Sequence, residues 1–262
     1  ADDVDGDVLS YSIVGGSDIT AVLDGSDVSF SAPTNYNGSE AFTISVNDGE
    51  LSDSQSITVT VNAINDSPVA TAGLTGTTNE DQSVVVSLSG SDIDGDVLTF
   101  SLDTDASNGT VVIEGSLATY TPTDDYNGAD SFIFAVTDGE YSSTATVTLT
   151  IDAVNDAPVL ASISDVSFDE DTSGSLSLSA DDVDGDDLSY SIVGGSDITA
   201  VLDGSDVSFS APANYNGSEA FTISVNDGEL SDSQSITVLS LIHISEPTRR
   251  YAIWYAVLGL KK

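Results

Sequence analysis

The sequence predicts an all-β chain of tandem β-sandwich domains in a linear array, and three observations predict it. Residues 1–59 recur at 180–238 with two differences, Val8 becoming Asp187 and Thr34 becoming Ala213. A diverged copy lies between them: DVDGDVLSYS at 3–12 returns as DIDGDVLTFS at 92–101, and NYNGSEAFTISVNDGE at 35–50 returns as DYNGADSFIFAVTDGE at 125–140. The period of about 90 residues exceeds that of solenoids and suits autonomous sandwich domains. Within each copy, apolar residues alternate in short runs, and no segment before residue 239 carries a helical period.

Taken in order through the middle copy, strands are expected at Val84–Leu88, Leu98–Leu102, Thr110–Glu114, Ala118–Thr121, Ser131–Val136 and Ala145–Ile151. β-Branched and aromatic residues dominate these runs. Asp94-Gly95, Asn108-Gly109, Asn127-Gly128 and Asp138-Gly139 punctuate them as turns. That gives about seven short strands per domain. Tyr36, Tyr126 and Tyr215 each precede a strand bearing Phe42, Phe132 or Phe221. They suit either a corner tyrosine bonded to nearby backbone or a plain core aromatic.

Charge narrows the function. Acids outnumber Lys and Arg 44 to 4 among 262 residues, for a net charge of −40. Arg249, Arg250, Lys261 and Lys262 all lie in the tail, so residues 1–238 hold no Lys, Arg, His, Cys, Met or Trp. Such a body forms no internal salt bridge, and its self-repulsion calls for cations from outside. Nucleic acid and anionic membranes are excluded as partners, because both need basic side chains to meet phosphate. Without cysteine there is no disulfide framework, and small domains of that kind often rely on a structural metal.

Three acidic clusters have the oxygen donors that a hard cation such as calcium takes. The first is DxDGD, at Asp3, Asp5, Asp7, then Asp92, Asp94, Asp96, then Asp182, Asp184, Asp186. Alternate aspartates of an extended segment project to one side, and the glycine permits a sharp bend. The second is the junction, INDSPV with Asn65 and Asp66, and VNDAPV with Asn155 and Asp156. The third is an acidic strand opening at Glu80-Asp81 and Asp169-Glu170-Asp171. NDGE and TDGE, with Asp48, Glu50, Asp138, Glu140, Asp227 and Glu229, read equally well as further ligands or as plain hairpin turns.

These motifs resemble those of the cadherin-like domains of large bacterial surface adhesins, across residues 1–238. An acidic residue near the domain start (Glu80, Glu170), a DxD before LTFS or LSYS, and an Asn-Asp linker before proline carry the likeness. The resemblance implies immunoglobulin-like sandwiches clamped at their junctions by calcium. It assigns one site to Asn65, Asp66, Asp92 and Asp94 with the first domain. It assigns another to Glu80, Asn155, Asp156, Asp182 and Asp184. The Asp-Arg-Glu motif of cadherins has no clean counterpart, and the segment nearest to it offers Glu40 or Asp130.

The expected role is a calcium-stiffened stalk of a secreted or cell-surface adhesin, docked to neighbouring domains of its own chain. The alternatives are a sugar- or protein-binding module, or a spacer in a secreted toxin or enzyme. Catalysis is not expected, because residues 1–238 offer no His, Cys or Lys as base or nucleophile, and the acids recur in every copy. Membrane insertion is not expected either: Tyr251–Leu260 is about half the length that spans a bilayer.

The expected domains are 1–66, lacking its opening strand; 67–156, complete; and 157–238, lacking the end of its last strand. Residues 239–262 break the repeat. LSLIHISEPTR resembles the in-frame translation of a sequencing-library adapter, whose continuation ISYAVFCLKK matches from Ile253 except at Trp254, Leu258 and Gly259. The tail, with its lone His243, is therefore expected to be non-native.

Overall fold

The computed structural model describes residues 1–2 and 4–242. Asp3 and most of the tail, 243–262, lie outside the described residues. Contacts gather the chain into two compact units, Ala1–Ala153 and a second beginning at Val154. Every described element is a strand, and among the described residues no helix is long and apolar enough to cross a membrane.

The first unit opens with β1 (Ser10–Gly15), β2 (Thr20–Asp24), β3 (Asp27–Ser31), β4 (Gly38–Asn47) and β5 (Ser52–Val61). They form a three-stranded sheet β1-β4-β5 and a hairpin β2-β3. The middle repeat follows as β6 (Val69–Ala70), β7 (Leu74–Asn79), β8 (Val84–Ser87), β9 (Gly90–Ser91), β10 (Thr99–Thr104), β11 (Gly109–Glu114), β12 (Leu117–Pro122), β13 (Gly128–Thr137) and β14 (Ser142–Asp152). Its sheets run β10-β13-β14-β7 and β11-β12-β8, with β6 paired to β9. All six strands expected from the pattern are present. β7 escaped it because LTGTTN is polar and its Gly76 interrupts the alternation. β7 joins the sheet as the parallel neighbour of β14, Leu74 facing Val147 and Asn79 facing Asp152.

Period-2 patterning puts the core between the two sheets. Phe132, Phe134 and Val136 of β13, Val147, Leu149 and Ile151 of β14, and Ala118 and Tyr120 of β12 are all buried. Each large apolar side chain buried in this way contributes roughly 1.5–3 kcal/mol. Tyr126 Oη donates to Ala129 O at 2.8 Å, so this hydroxyl does bond nearby backbone.

The second unit contains β15 (Val159–Leu160), β16 (Val166–Asp169), β17 (Ser173–Ser177), β18 (Ala180–Asp181), β19 (Ser189–Gly194), β20 (Thr199–Asp203), β21 (Asp206–Ser210), β22 (Gly217–Asn226) and β23 (Ser231–Leu241). Sheets β16-β23-β22-β19 and β17-β21-β20 repeat the middle arrangement. β23 reaches Leu241, beyond the point where the repeat sequence breaks. Leu239-Ser240-Leu241 keeps the in–out alternation, and Ser240 is buried with its hydroxyl donating to Tyr215 O at 2.8 Å.

Candidate metal centre

Each repeat needs its DxDGD segment to turn sharply between two strands, and the first aspartate makes the turn. Asp92 Oδ1 accepts the backbone N–H of Asp94 at 2.8 Å and that of Asp96 at 3.5 Å. In the second unit, Asp182 Oδ1 accepts Gly185 N–H at 3.0 Å and Asp186 N–H at 3.2 Å. Gly95 and Gly185 sit at φ 81° and 78°, a left-handed conformation that a side chain would resist. The aspartates therefore converge by a side-chain-closed turn and not by the strand alternation expected from the spacing.

The turn spends one oxygen of the first aspartate and leaves the other. Oδ2 of Asp92 and Oδ2 of Asp182 are buried and have no hydrogen-bond partner. Oxygens of Asp92, Asp94 and Asp96 lie within 4.8 Å of one another, as do those of Asp182, Asp184 and Asp186. A buried carboxylate oxygen without a donor is costly, and more so beside like charges. The chemistry that satisfies all three groups at once is a divalent cation preferring oxygen, so the residues fit calcium.

The linker is tied to this turn in both units. Asp66 N–H donates to Asp94 Oδ2 at 2.7 Å, and Asp156 N–H donates to Asp184 Oδ2 at 2.8 Å. Asn65 Nδ2 donates to Asp138 Oδ2, and Asn155 Nδ2 to Asp227 Oδ2, each at 3.0 Å. Asp138 and Asp227 are thereby drawn in from the hairpin turns that precede β14 and β23. The other oxygen of each caps its own turn: Asp227 Oδ1 accepts Glu229 and Leu230 N–H at 2.6 and 2.7 Å. The sequence left this group open between ligand and turn, and it is at least the turn. The repetition of Asp-Gly-Glu beside each Asn-Asp linker was the available signal.

Electrostatics mark the same cluster. Desolvation pushes the Asp186 carboxyl up, and the negative charges of Asp182, Asp184, Asp227 and Glu229 push it further. Asp227 is held below the usual carboxylate range by the backbone N–H groups of Glu229 and Leu230 and by the Asn155 amide. Desolvation works against Asp138, yet the N–H groups of Tyr141 and Glu140 and the Asn65 amide hold it low. In the first unit, Asp66 and Asp94 also line a cleft of about 290 Å³ with Asn35–Asn37 and Val61–Ile64.

Glu80 and Glu170 stand elsewhere in their repeats. Glu80 follows the end of β7, where its N–H donates to Asp152 O at 3.0 Å, and Glu170 N–H likewise donates to Leu241 O at 2.7 Å. The sequence placed them at strand openings; the structure puts both in turns after strands, because Asp81 and Asp171 adopt positive φ and end the extended run. Glu80 is 3% exposed and accepts Asn127 Nδ2 at 3.4 Å. Asp138 and Asp152 flank the two ends of β14, so this glutamate lies a strand length, about 35 Å, from the DxDGD pole. The middle repeat thus carries one acidic group at each end and does not bring Glu80 to Asp92. Asp3 lies outside the described residues, and Asp5 and Asp7 are exposed.

Glu40 and Asp130 are committed to other work. Glu40 accepts Ser17 Oγ at 2.6 Å and the N–H groups of Ser17, Asp18 and Ile19 at 2.9–3.1 Å, and Glu219 repeats this on Ser196, Asp197 and Ile198. Asp130 accepts Ser107 and Asn108 N–H and the Tyr120 hydroxyl. These carboxylates anchor the loops after β1, β10 and β19.

Comparison with known proteins follows the fold. The chain covers 90% of itself on an endo-fucoidan hydrolase of glycoside hydrolase family 107, at 19% identity and TM-score 0.33, and spans 39% of that chain. It aligns with the extracellular cadherin domains 1–4 of protocadherin gamma B7 at 16% identity and TM-score 0.51, over 88% of this chain and 67% of that one. Mouse protocadherin-24 domains 1–3 align at 16% identity and TM-score 0.49, over 89% and 90%. At such identities the likeness is one of fold alone. No curated protein matches the sequence. The profile of the bacterial Ig domain matches residues 1–61, 65–150 and 155–239, and the chain belongs to that family, as three tandem copies of a cadherin-like, immunoglobulin-like sandwich.

Proposed function

We propose that this chain is a calcium-binding repeat segment, a stalk or extender, of a large extracellular or cell-surface adhesin. The observation that carries the reading is the buried, partnerless Oδ2 of Asp92 and of Asp182, each facing two further carboxylates. Asp92, Asp94 and Asp96 with Asn65, Asp66 and Asp138 would hold one ion; Asp182, Asp184 and Asp186 with Asn155, Asp156 and Asp227 would hold its counterpart. Asp3 and Asp5 would serve the first repeat, and Glu80 and Glu170 the opposite poles. Bound calcium supplies the positive charge that residues 1–238 lack. Because it binds the folded turn and not the unfolded chain, it stabilises each repeat by mass action.

In this reading the domains are 1–66, 67–156 and 157–238, with 239–262 a non-native adapter translation. Repetition of the same acidic groups in every copy supports a mechanical role in place of a catalytic one, and neighbouring domains are the immediate partners. The test is a thermal melt with calcium, with chelator and with sodium chloride at matched ionic strength. A calcium-specific rise in Tm, reduced in part by Asp92→Asn and by Asp182→Asn, supports the reading. Equal curves in calcium and sodium would sink it and leave the acids as solvated surface.

A further inference from the structure

Residues 1–59 and 180–238 are all but one sequence, yet they are buried differently. Phe209 is 0% exposed and Phe30, its counterpart, 36%. Val225 and Ile223 are fully buried, whereas Val46 and Ile44 are only half-buried. The third repeat differs by the segment that carries β16 and β17. There β16 runs parallel along β23, and β17 lies antiparallel on β21, Gly174 facing Phe209 and Leu176 facing Val207. Among the described residues, β3 pairs only with β2, and β5 only with β4.

The surface that this segment covers is therefore laid open in the first repeat. A cleft of about 330 Å³ is lined by Tyr11, Ile44, Val46 and Ile57, with Asp53 and Gln55 on its rim. In the third repeat the counterparts of those two rim residues hold the segment. Asp232 Oδ2 accepts Leu160 N–H at 3.0 Å. Gln234 Oε1 accepts Ile163 N–H at 3.0 Å, and its Nε2 donates to Leu160 O at 2.9 Å. Leu160 and Phe168 of the segment are then 3% and 6% exposed.

We propose that residues 1–61 are a strand acceptor, which takes in trans an extended polypeptide segment of the sequence Val159–Ser177. The open edges of β3 and β5 offer backbone N–H and C=O groups, as in strand addition to a sheet edge. The cleft takes alternate apolar side chains, and Asp53 and Gln55 fix register as Asp232 and Gln234 do. Residues 27–31 are identical to 206–210, the stretch that β17 reads, so the acceptor needs no new chemistry. The occupant is a free segment and not a whole second copy, because in a second copy the segment is tethered beside its own acceptor and effective concentration keeps it there.

The experiment is calorimetric titration of the full chain with a synthetic peptide of residues 157–178, at high salt to screen acid–acid repulsion. One peptide should bind per chain, since the third repeat is already filled. Phe30→Glu and, separately, the surface change Gln55→Ala should each weaken binding, the first by about tenfold or more. A peptide carrying Phe168→Asp and Leu176→Asp should not bind. Absence of saturation at millimolar peptide, or binding indifferent to both substitutions, overturns the proposal. So does self-association of the chain that Phe30→Glu abolishes, because a second copy would then be the occupant.

Discussion

The side-chain amide of Asn65 donates to Asp138 Oδ2 at 3.0 Å, joining the linker of the middle repeat to a hairpin turn 73 residues away. Asn155 and Asp227 repeat the bond in the second unit. Since Asp227 also raises the Asp186 carboxyl through its charge, the turn belongs electrostatically to the DxDGD cluster. Asp227→Asn retains an oxygen for the Glu229 and Leu230 N–H groups while removing the charge. It should leave the apo Tm nearly unchanged or higher and shrink the Tm gain from calcium. Asp227→Ala should lower both, the apo loss being about 1–2 kcal/mol for the capped turn. Melts of the two variants with and without calcium separate ligand from cap.

Acid should act on this chain in two opposite ways. Asp186 is displaced upward, so its protonated form favours the folded state, and acidification from neutral relieves the cluster. Glu219 is displaced downward from 4.5 to about 2, first by the Ser196 hydroxyl and then by the N–H groups of Ile198 and Ser196. Stability from a lowered carboxyl is complete above its unfolded value and is lost as pH falls through the folded one. The calcium-free chain should therefore be most stable in mild acid and lose stability between pH 4.5 and 2. Glu219→Gln should flatten that acid limb, and calcium should move the optimum toward neutral. Tm measured across pH, with and without chelator, checks both.

Asp130 tests how far a buried acid can be structural. It is 8% exposed and meets the Tyr120 hydroxyl at 3.0 Å, while Tyr120 itself is fully buried. Desolvation, then the hydrogen bond to Asp130, pushes the Tyr120 hydroxyl well above the usual tyrosine range. Tyr120→Phe keeps the ring and removes one donor from the carboxylate, at a cost of about 1–3 kcal/mol in the middle repeat. Urea unfolding of the first unit reads this loss. Calcium binding should be untouched, because Asp130 belongs to the loop after β10.

The repeated sequence also offers an internal control on core energetics. Phe209→Ala empties a site sealed by β17 and should cost about 3–5 kcal/mol. Phe30→Ala changes the same residue in the same local sequence, with 36% of its surface already in water, and should cost well under half of that figure. Hydrogen exchange at β21 and β3 in the two variants distinguishes them.

Those contrasts show what was legible in the sequence. Alternation located β13 and β14, because Phe132, Phe134 and Val136 write a period of two in apolar letters. The DxDGD turn was legible as a cation site because clustered carboxylates with no basic side chain in the same body need positive charge from outside. The in-line convergence of the aspartates was not, since Oδ1 of Asp92 closes the turn through backbone groups that no pattern of side chains displays. Glu40 was misleading for a related reason: three N–H groups and a hydroxyl claim it, and only the path of the loop after β1 brings them there.

The end of β23 allows the sharpest test of packing. Ser240 is 1% exposed and occupies the position that Ile151 holds in β14 and Val61 in β5. A serine there spends its hydroxyl on Tyr215 O and leaves the apolar end of the sandwich underfilled. Ser240→Val restores the repeat residue. It forfeits one hydrogen bond of about 1 kcal/mol and gains roughly 1.5–3 kcal/mol from a buried apolar side chain, so the balance is stabilising by about 1 kcal/mol. Leu239→Thr and Leu241→Asn, the other two restorations, replace exposed apolar residues and should alter solubility more than stability. If residues 239–241 are foreign to the repeat, Ser240→Val should raise the Tm of the second unit and leave the first unchanged. A lower Tm would mean that the Tyr215 hydrogen bond outweighs the missing methyl groups, and that this end of the sandwich is built around the serine.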